Sequence, residues 1–437
     1  MRTEDPFTGD IAPAAGAGGT LRRQPKAVWA TAGASVVAFM GIGLVDPILP
    51  SIAKGLDAAP SQVSLLFTSY FLITALAMLL TGFVSSRIGG RRTLLAGLAL
   101  VVSFAALSGT SDSVGELVGF RAGWGLGNAL FVSTALAVIT GAAAGQDGPG
   151  PGGGTTRENG GRRGAATAIL LYESALGLGM ACGPLLGALL GDMSWRYPFF
   201  GTAALMAVGF LCVTVFLKEQ PKPARKVALL DPLRALGHGG LATAAAAAFF
   251  YNYAFFTVLA FTPFVLDMTP YMSGAVFFAW GVLLAVFSVL AAPALQRRFG
   301  TARVLAGSLA LLAADVVVLG YGDRATAVLC TVLSGAFIGV NNTLFTELAL
   351  GVSDAPRPVA SAGYNFVRWF AAAAAPYLAS ELAERAGART PFVVAGAAAL
   401  IGAVIVRAGR ASLARHAPEA EPRPVATTQD GAAVLAD

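Results

Sequence analysis

Charged side chains are scarce in this sequence, and it has only two histidines and three cysteines. Of its 437 residues 12% are charged, whereas soluble proteins carry about 25%. Hydrophobic residues make up 56%, and the mean hydropathy is +0.68. A soluble fold of this composition would expose large apolar patches to water. The scarcity of charge therefore excludes an ordinary soluble domain and indicates a protein surrounded by lipid.

The histidine and cysteine content excludes a zinc site of familiar spacing. Cys182, Cys212 and Cys330 all lie in apolar segments, where small buried residues are expected in place of redox chemistry. A net charge of +6 would suit a nucleic-acid partner, but the basic residues recur in short loops and form no single cluster. We therefore predict no metal, no cofactor and no nucleic-acid partner.

Apolar runs long enough to cross a bilayer recur along the chain. A hydrocarbon core of about 30 Å needs roughly 20 mostly apolar residues per helix. Such runs cover residues 27–50, 63–85, 93–110, 115–143, 165–190, 197–217, 239–266, 272–293, 303–320, 325–350, 359–381 and 391–408. They predict an all-α membrane protein with twelve transmembrane helices (spans 1–12) and both termini on one side.

The basic residues are distributed unequally between the two sides. Of the 30 lysines and arginines, two lie within spans, and most of the others lie in the termini or in loops on the side of the termini. The loops of the opposite side hold only Lys54, Arg196, Arg324, Arg385 and Arg389. Because loops rich in lysine and arginine stay in the cytoplasm, we predict both termini to be cytoplasmic, in a multi-pass protein of the plasma membrane.

The pattern predicts two six-helix bundles, residues 27–217 and 239–408, joined by a charged cytoplasmic loop, residues 218–238. The Gly-rich segment 144–164 predicts a flexible cytoplasmic insertion in the first bundle. The ends of the chain, residues 1–26 and 409–437, are polar and predicted to be disordered.

A short motif occurs once in each half. "RIGGRR" (87–92) follows span 2 and "RFGTAR" (298–303) follows span 8, so that R-x-G-x-x-R repeats after 211 residues. Each copy leads into a Leu-Ala-Gly run. Two related six-helix halves are how many transporters build a binding site at the middle of the membrane.

The sequence resembles the major facilitator superfamily, and in particular its twelve-spanning drug:proton antiporters. "GFVSSRIGGRR" (82–92) is similar to the superfamily's loop 2–3 gate signature at Gly82, Arg87, Gly89 and Arg91, but Ser86 replaces the usual aspartate. In the family that acid helps to latch the cytoplasmic gate. Serine is able to cap a helix instead.

Three further motifs carry the resemblance. "RAGWGLGNA" in span 4 resembles the R-x-x-x-G-x-G motif of proton-coupled members at Arg121, Gly125 and Gly127, and "GIGLVDPILP" in span 1 resembles the P-x-x-P pattern of the antiporters. The antiporter motif G-x-x-x-G-P-x-x-G is matched in span 5 by Gly179, Gly183, Pro184 and Gly187. These glycines form a smooth stripe that allows close helix packing, and packing is their expected role.

Three charged residues inside spans are the predicted proton-coupling groups. Asp46 and Arg121 lie about 6 Å and about 9 Å inside the predicted outer ends of spans 1 and 4, so we expect them to pair. The pair either takes part in coupling or is a static salt bridge. Glu173, in span 5, has no basic neighbour in sequence. It either exchanges protons, or stays neutral and hydrogen-bonded, or pairs with Arg368.

Polar and aromatic side chains of the second half are the predicted substrate-cavity residues. Aromatic rings beside such groups can stack on an amphipathic ligand, although core packing explains them as well. The asparagines can equally bond neighbouring helices. Glu347 is expected to pair with an arginine near the cytoplasmic gate, and Asp315 receives no role. The cavity candidates are Tyr251, Asn252, Asn341, Asn342 and Arg368.

Together these features predict a monomeric secondary transporter and not an enzyme. Its partners would be a small-molecule substrate, protons and the lipid bilayer. The resemblance implies proton-coupled export of small, largely apolar or amphipathic molecules, such as drugs or secondary metabolites, by alternating access. The alternatives are a proton symporter or facilitator for nutrient uptake, and a dedicated siderophore or metabolite exporter. A membrane-embedded enzyme or receptor would need a catalytic set, a metal cluster or a soluble domain, and the sequence offers none.

Overall fold

A computed structural model describes residues 25–144, 155–219, 226–353, 355 and 357–414. Within these residues it contains helices and no strand. The long helices, numbered α1 to α12, are Lys26–Gly43, Pro60–Ile88, Gly90–Gly109, Val114–Ala144, Thr155–Gly191, Tyr197–Phe216, Gly239–Leu266, Pro270–Phe299, Thr301–Tyr321, Arg324–Gly351, Arg357–Ala386 and Thr390–Ala408. Each predicted apolar run overlaps one of them, and the all-α architecture is confirmed.

Length and composition identify most of these helices as membrane spans. Among the described residues, 10 helices are long and apolar enough to cross a membrane, and α5 adds the shorter apolar segment Ala175–Gly191. These numbers are consistent with twelve membrane crossings. The exact number of crossings remains a prediction.

The first predicted span, 27–50, is not one continuous helix. After α1 ends at Gly43, the chain forms a 3₁₀ turn, Asp46–Ile48, and a short helix, Leu49–Gly55. Pro47 has no N–H to donate to the preceding turn of a helix, which favours an end of α1 before this residue. Pro50 lies in the first turn of the short helix, where the missing N–H costs nothing. Asp46 therefore begins a 3₁₀ turn.

Two segments predicted to be flexible or disordered contain helix. α5 begins at Thr155, so it includes the second part of the predicted insertion 144–164, where charged residues that favour helix follow the Gly/Pro-rich part. The predicted disordered tail begins with a short helix, Arg410–Ala414, and Leu413 is 5% exposed there. The central loop also contains a short helix, Asp231–Ala235. Residues 1–24, 145–154 and 415–437 lie outside the described residues.

The helices of the two halves pack in the same pattern. In the first half α4 packs on α2 and α3, α1 on α5 and α6, and α3 on α6. In the second half α10 packs on α8 and α9, α7 on α11 and α12, and α9 on α12. Adding six to each helix number of the first set gives the second set. The halves meet where α2 packs on α11 and α5 on α8.

Two glycine contacts show the repeat at the level of single atoms. A Cβ atom at Gly125 of α4 would lie within 2.5 Å of the carbonyl oxygen of Tyr70 on α2. A Cβ atom at Gly335 of α10 would lie equally close to the carbonyl oxygen of Trp280 on α8. Both members of the second pair follow those of the first by 210 residues. Only glycine allows these backbones to approach so closely.

A π-turn in α8, Phe287–Ala291, explains why the offset is 211 residues at the motif that follows this helix. A π-turn holds one more residue than an α-turn, so the end of α8 is shifted by one residue relative to the end of α2. At Gly335 of α10 the offset is again 210, so the shift is local to the end of α8 and the motif that follows it. Gly89 and Gly300, in the two R-x-G-x-x-R motifs, are 211 residues apart and have φ values of 95° and 80°. Thr343 of α10 donates to the carbonyl oxygen of Ser288 in the π-turn, at 3.2 Å.

Candidate functional site

The glycine stripe of α5 allows α1 to pack closely against it at each of its three glycines. A Cβ atom at Gly179, Gly183 or Gly187 would lie within 2.5 Å of the carbonyl oxygen of Val36, Met40 or Leu44, respectively. These contacts follow one face of α1 at intervals of four residues, which is the spacing of successive helical turns. The stripe therefore fixes the position of α1 against α5, and Pro184 lies inside the same helix.

Arg121 of α4 is fully buried against two aromatic rings. Its exposed fraction is 0%, and its guanidinium carbon lies 4.4 Å from the ring centre of Tyr70 and 4.6 Å from that of Trp124. A cation over an aromatic face is attracted by the ring, most strongly where water is excluded. The two rings meet edge to face, with centroids 6.2 Å apart. They hold the guanidinium group in one place inside the first half.

Further contacts attach this part of α4 to α1 and α2. Thr74 of α2 donates a hydrogen bond of 3.1 Å to the carbonyl oxygen of Gly125. A Cβ atom at Gly41 of α1 would lie 2.9 Å from the ring of Trp124, which also contacts Tyr70 of α2. Arg121 thus lies where α1, α2 and α4 converge.

The side chains of Asp46 and Glu173 lie outside the described residues, so the two other predicted proton-coupling groups are located by their backbones alone. Asp46 follows Gly41 by five residues, and Arg121 precedes its partner Trp124 by three. Because α1 and α4 run in opposite directions, both positions lie on the same side of the Gly41–Trp124 contact. The Asp46–Arg121 pair remains a prediction.

The turn of α5 that carries Glu173 is held by its neighbour Tyr172. The ring of Tyr172 meets that of Phe39 of α1 edge to face, with centroids 5.6 Å apart. Its hydroxyl donates to the carbonyl oxygen of Val132 of α4, at 3.3 Å. This part of α5 therefore contacts the same two helices, α1 and α4, that carry Asp46 and Arg121.

In the second half, Arg368 of α11 binds Asn342 of α10. Its Nη2 atom donates a hydrogen bond of 2.9 Å to Asn342 Oδ1. Its guanidinium carbon lies 5.8 Å from the ring centre of Tyr364 and 5.5 Å from that of Trp369. Arg368 is part-buried, and its Nε atom is fully buried. Each half thus contains an arginine beside two aromatic rings, although the two arginines are not at equivalent repeat positions.

The other predicted cavity residues are buried. The hydroxyl of Tyr251 donates to the carbonyl oxygen of Ile338 at 3.1 Å, which links α7 to α10. The amide of Asn252 donates to Ala248 of its own helix at 2.9 Å. Asn341 is 0% exposed, and neither polar atom of its side chain has a hydrogen-bond partner among the described residues. Within the described part of the chain, Asn342 and Arg368 are the two predicted cavity residues that a hydrogen bond joins.

Aromatic rings connect the two arginine sites across the boundary between the halves. Phe71 of α2 stacks on Trp369 of α11 with centroids 5.3 Å apart, and it contacts Phe256 of α7 at 4.6 Å. Phe71 also contacts Tyr70, which contacts Trp124. A continuous chain of rings therefore runs from Arg121 to Arg368. An apolar molecule entering between the halves would meet these rings.

Hydrogen bonds between α2 and α11 continue from these rings toward the predicted outer end. Thr68 donates to the carbonyl oxygen of Ala373 at 2.8 Å, and the hydroxyls of Ser64 and Ser380 are 2.6 Å apart. Beyond them the Ser61 N–H donates to Glu384 at 3.3 Å. The two halves are therefore joined on this side of the aromatic rings.

Comparison with known proteins identifies the family. The family model described as Major Facilitator Superfamily matches residues 31–350. The chain belongs to the Major Facilitator Superfamily. This superfamily member is 47% identical over 396 residues to the multidrug efflux protein YfmO of Bacillus subtilis (strain 168), covering 90% of this chain and 96% of that protein. It is 30% identical over 199 residues to the tetracycline resistance protein, class C, of Escherichia coli, covering 45% of each chain.

Solved structures of other transporters have the same fold. The D-xylose-proton symporter superposes with a TM-score of 0.71 at 15% identity, covering 87% of this chain and 96% of that chain. The human organic anion transporter MFSD10 superposes with a TM-score of 0.66 at 18% identity, covering 87% and 99%. These similarities confirm the expected fold. Together with its apolar helices, membership of the superfamily makes this chain a multi-pass membrane protein.

The superfamily's loop 2–3 motif contacts the first half and the central loop. Arg91 donates to the carbonyl oxygens of Leu217 and Thr214, at 2.6 and 2.9 Å. Arg87 donates to Phe83 and to Val227 of the central loop, at 3.0 and 3.4 Å. A Cβ atom at Gly82 would meet Val227 at 3.5 Å, and Gly89 adopts the positive φ. Every one of these contacts is made without an acid at position 86.

Ser86 does not cap the helix. Its hydroxyl donates back to the carbonyl oxygen of Phe83 in the same helix at 3.0 Å, and the residue at the helix end is Gly89. Ser86 is 4% exposed, so an aspartate at this superfamily position would here be buried.

Sequence reasoning did not identify the rings that surround the arginines. Tyr70, Phe71, Trp124 and Trp369 received no role, although Trp124 follows Arg121 by three residues and so lies on the same helix face. That spacing was the available signal for Trp124. Phe71 gives no such signal for its contacts with Phe256 and Trp369, because those two rings lie in the other half of this superfamily member.

Proposed function

We propose that this protein exports small, largely apolar or amphipathic molecules from the cell in exchange for protons. The observation that supports this most strongly is the 47% identity to the multidrug efflux protein YfmO over 90% of this chain and 96% of that protein. The similarity includes both halves, and therefore the boundary between them, where transporters of this architecture bind substrate. Tetracycline resistance protein, class C, is similar over a shorter part.

The substrate would bind among the rings that connect the two halves. Phe71, Phe256 and Trp369 offer apolar faces there, and Arg368 with Asn342 offers polar groups beside them. Ligand sites of this kind are mostly apolar, with a few polar groups that orient the ligand. Rings bind many apolar molecules with little demand on shape, which suits a transporter of several substrates.

Proton exchange would use carboxyl groups near Arg121. A fully buried arginine is a fixed positive charge, and a carboxylate beside it offsets the cost of burial. We assign this role to Asp46, with Glu173 as a second acid. In the outward-open state a proton neutralises the acid and favours release of the substrate. The proton leaves on the cytoplasmic side, and the restored negative charge prepares the next cycle. The protein would act as a monomer in the cell membrane, with both termini in the cytoplasm.

Purified protein in liposomes with an imposed proton gradient tests this function. Efflux of a fluorescent cationic dye should follow the gradient and stop when a protonophore collapses it. Asp46→Asn and Glu173→Gln should each lower the gradient-driven rate while the protein stays folded. Asp192→Asn, at an exposed turn after α5, is the matched control and should keep the wild-type rate.

Two results would contradict the proposal. Dye movement that is the same with and without the gradient would exclude proton coupling. Unchanged coupling in both acid variants would show that the proton sites lie elsewhere.

A further inference from the structure

A basic pocket lies between α9 and α12, at the end of the bundle where α9 begins and α12 ends. It has a volume of about 300 Å³ and is distinct from the aromatic boundary between the halves. Three of its lining residues are arginines from different elements, and the others are small. The lining residues are Ala302, Arg303, Ala306, Gly307, Arg407 and Arg410.

The fold places each arginine by a different means. Arg303 lies in the first turn of α9, and Arg407 lies in the last turn of α12. Arg410 begins the short helix after Gly409, where a Cβ atom would lie within 2.5 Å of a methyl group of Thr243 on α7. This contact fixes the chain that carries Arg410. A Cβ atom at Gly307 would meet nothing within 4 Å, so glycine leaves this part of the pocket open.

The positive charge of the pocket is not compensated by the described part of the protein. None of the ion pairs among the described residues includes Arg303, Arg407 or Arg410. The N-terminus of α9 adds partial positive charge beside Arg303, and its N-cap, Gly300, has no side chain to bond those N–H groups. Three guanidinium groups in one pocket repel one another, and a bound anion would offset that repulsion.

In the first half, the arginine at the equivalent position already has an acidic partner. Arg92 is the counterpart of Arg303, 211 residues earlier, and its Nε atom lies 3.1 Å from a carboxylate oxygen of Glu219. Its neighbour Arg91 donates to two carbonyl oxygens at the end of α6. The first half therefore satisfies its arginines internally, whereas the second half presents its arginines to an anion from outside.

Apolar side chains on the same two helices extend from the pocket toward the membrane. Leu311 follows Gly307 by four residues and is 57% exposed, and Val404 precedes Arg407 by three and is 65% exposed. Residues three or four apart lie on one helix face. A ligand with an anionic group and apolar chains would contact both the arginines and this surface.

We propose that this pocket binds the phosphate head group of an anionic phospholipid, whose acyl chains lie along Leu311 and Val404. Arginine binds phosphate through two parallel hydrogen bonds, and basic pockets between membrane helices suit anionic head groups. Free phosphate shares the charge but cannot use the apolar surface. The lipid would hold α9, α12 and the short helix Arg410–Ala414 together.

Thermal unfolding of the detergent-solubilised full chain tests the site. Phosphatidylglycerol in mixed micelles should raise the melting temperature of the wild type, because a ligand that binds only the folded state stabilises it. Phosphatidylcholine and inorganic phosphate should not. The double variant Arg407→Gln/Arg410→Gln should lose most of the phosphatidylglycerol effect. Arg92→Gln, at the equivalent and already paired position, should keep it.

A second measurement does not depend on the stability of the variant. Native mass spectrometry of the folded fraction should show one phosphatidylglycerol retained by the wild type and by Arg92→Gln, and none by the double variant. The site would be overturned if phosphatidylcholine raised the melting temperature as much as phosphatidylglycerol does. It would also be overturned if Arg92→Gln lost as much of the phosphatidylglycerol effect as the double variant. Equal protection by inorganic phosphate would overturn the lipid as its ligand. Full retention by the double variant would overturn the role of the arginines.

Discussion

Phe71 of α2 and Trp369 of α11 stack across the boundary between the two halves, with ring centroids 5.3 Å apart and planes inclined by 22°. Both side chains are buried. Such a pair contributes about 0.5–1.5 kcal/mol beyond the burial of its area. Because the hydrogen bonds toward the predicted outer end join the same two helices, an outward-open state must separate this pair. We therefore expect Trp369→Ala to shift the population toward that state.

A cysteine at Ser64 reports on this separation, because Ser64 is 1% exposed and faces Ser380. The three native cysteines are first replaced by alanine. In intact cells, Trp369→Ala should raise the rate of labelling by a membrane-impermeant maleimide by about fivefold for each kcal/mol lost. Trp29→Ala, at a position 48% exposed, is the control and should change nothing. Equal labelling in Trp369→Ala and the wild type would show that the stack does not hold the halves together.

Arg121→Lys should preserve the charge but lose the contacts of the planar guanidinium group with Tyr70 and Trp124. Lysine is a compact charge that cannot stack on two rings in the same way. A loss of about 1–2 kcal/mol of cation–π attraction would lower the transport rate about tenfold if the group is needed in position. Dye efflux from energised vesicles measures this effect. Arg385→Lys, whose side chain is 77% exposed, should keep the wild-type rate. A wild-type rate for Arg121→Lys would exclude the stacked geometry from the mechanism.

The predicted pairing of Asp46 with Arg121 can be measured as a coupling energy. Removing one member of a buried ion pair costs about 3–5 kcal/mol, because the other charge stays buried. Arg121→Gln should therefore destabilise the protein strongly, and adding Asp46→Asn should recover part of that loss. Reversible denaturation of the four proteins in mixed micelles gives the cycle. Strictly additive losses would mean that the two residues do not interact.

Gly183→Ala should destabilise the contact between α1 and α5. The added methyl group would lie within 2.5 Å of the carbonyl oxygen of Met40, and the helices would have to separate. Overpacking of this kind costs about 1–3 kcal/mol. Gly33→Ala is the matched control, since it lies on α1 and a Cβ atom there meets nothing within 4 Å. Melting temperatures of the two variants give the comparison, and an equal effect of both would refute the packing role of the stripe.

Patterns within single helices predicted much of the fold and part of the site. The lengths of the apolar runs predicted the long helices, and the spacing of Gly179, Gly183 and Gly187 predicted a smooth face. Such features depend on helical periodicity, which a sequence displays directly. The end of α1 was predicted too late in the chain. Pro47 affects α1 several residues before its own position, because a carbonyl oxygen in the preceding turn loses the N–H that would have bonded to it.

Contacts between distant helices could not be predicted in this way. Nothing in the residues around Phe71 indicates that its partners are Phe256 and Trp369, which lie far along the chain. The hydrogen bond between Arg368 and Asn342 could not be predicted either, because the two residues lie on different helices and are 26 positions apart. Even the repeat of 211 residues concealed a change of register, because the second copy of the motif follows the π-turn, whereas Trp280 lies before it and is 210 residues from Tyr70.

The π-turn of α8 is stabilised by one side chain from another helix. The hydroxyl of Thr343 donates to the carbonyl oxygen of Ser288 at 3.2 Å and lies 2.5 Å from the Ser288 hydroxyl. A π-turn weakens the regular hydrogen bonds of its helix, and an outside donor offsets part of that loss. We expect Thr343→Val to lower the free energy of unfolding by about 1 kcal/mol.

Transport should also change in Thr343→Val, because π-turns often occur where helices adjust during function and α8 lies at the boundary between the halves. Thr331→Val is the matched control. Thr331 lies on the same helix and is fully buried, but its hydroxyl bonds Ala327 of its own helix at 2.7 Å. Dye efflux and thermal unfolding of the two variants separate the effects. If Thr331→Val lowers both quantities as much as Thr343→Val does, the loss reflects a buried hydroxyl in general. A selective loss in Thr343→Val assigns the effect to the π-turn, whose extra residue shifts the end of α8 by one position.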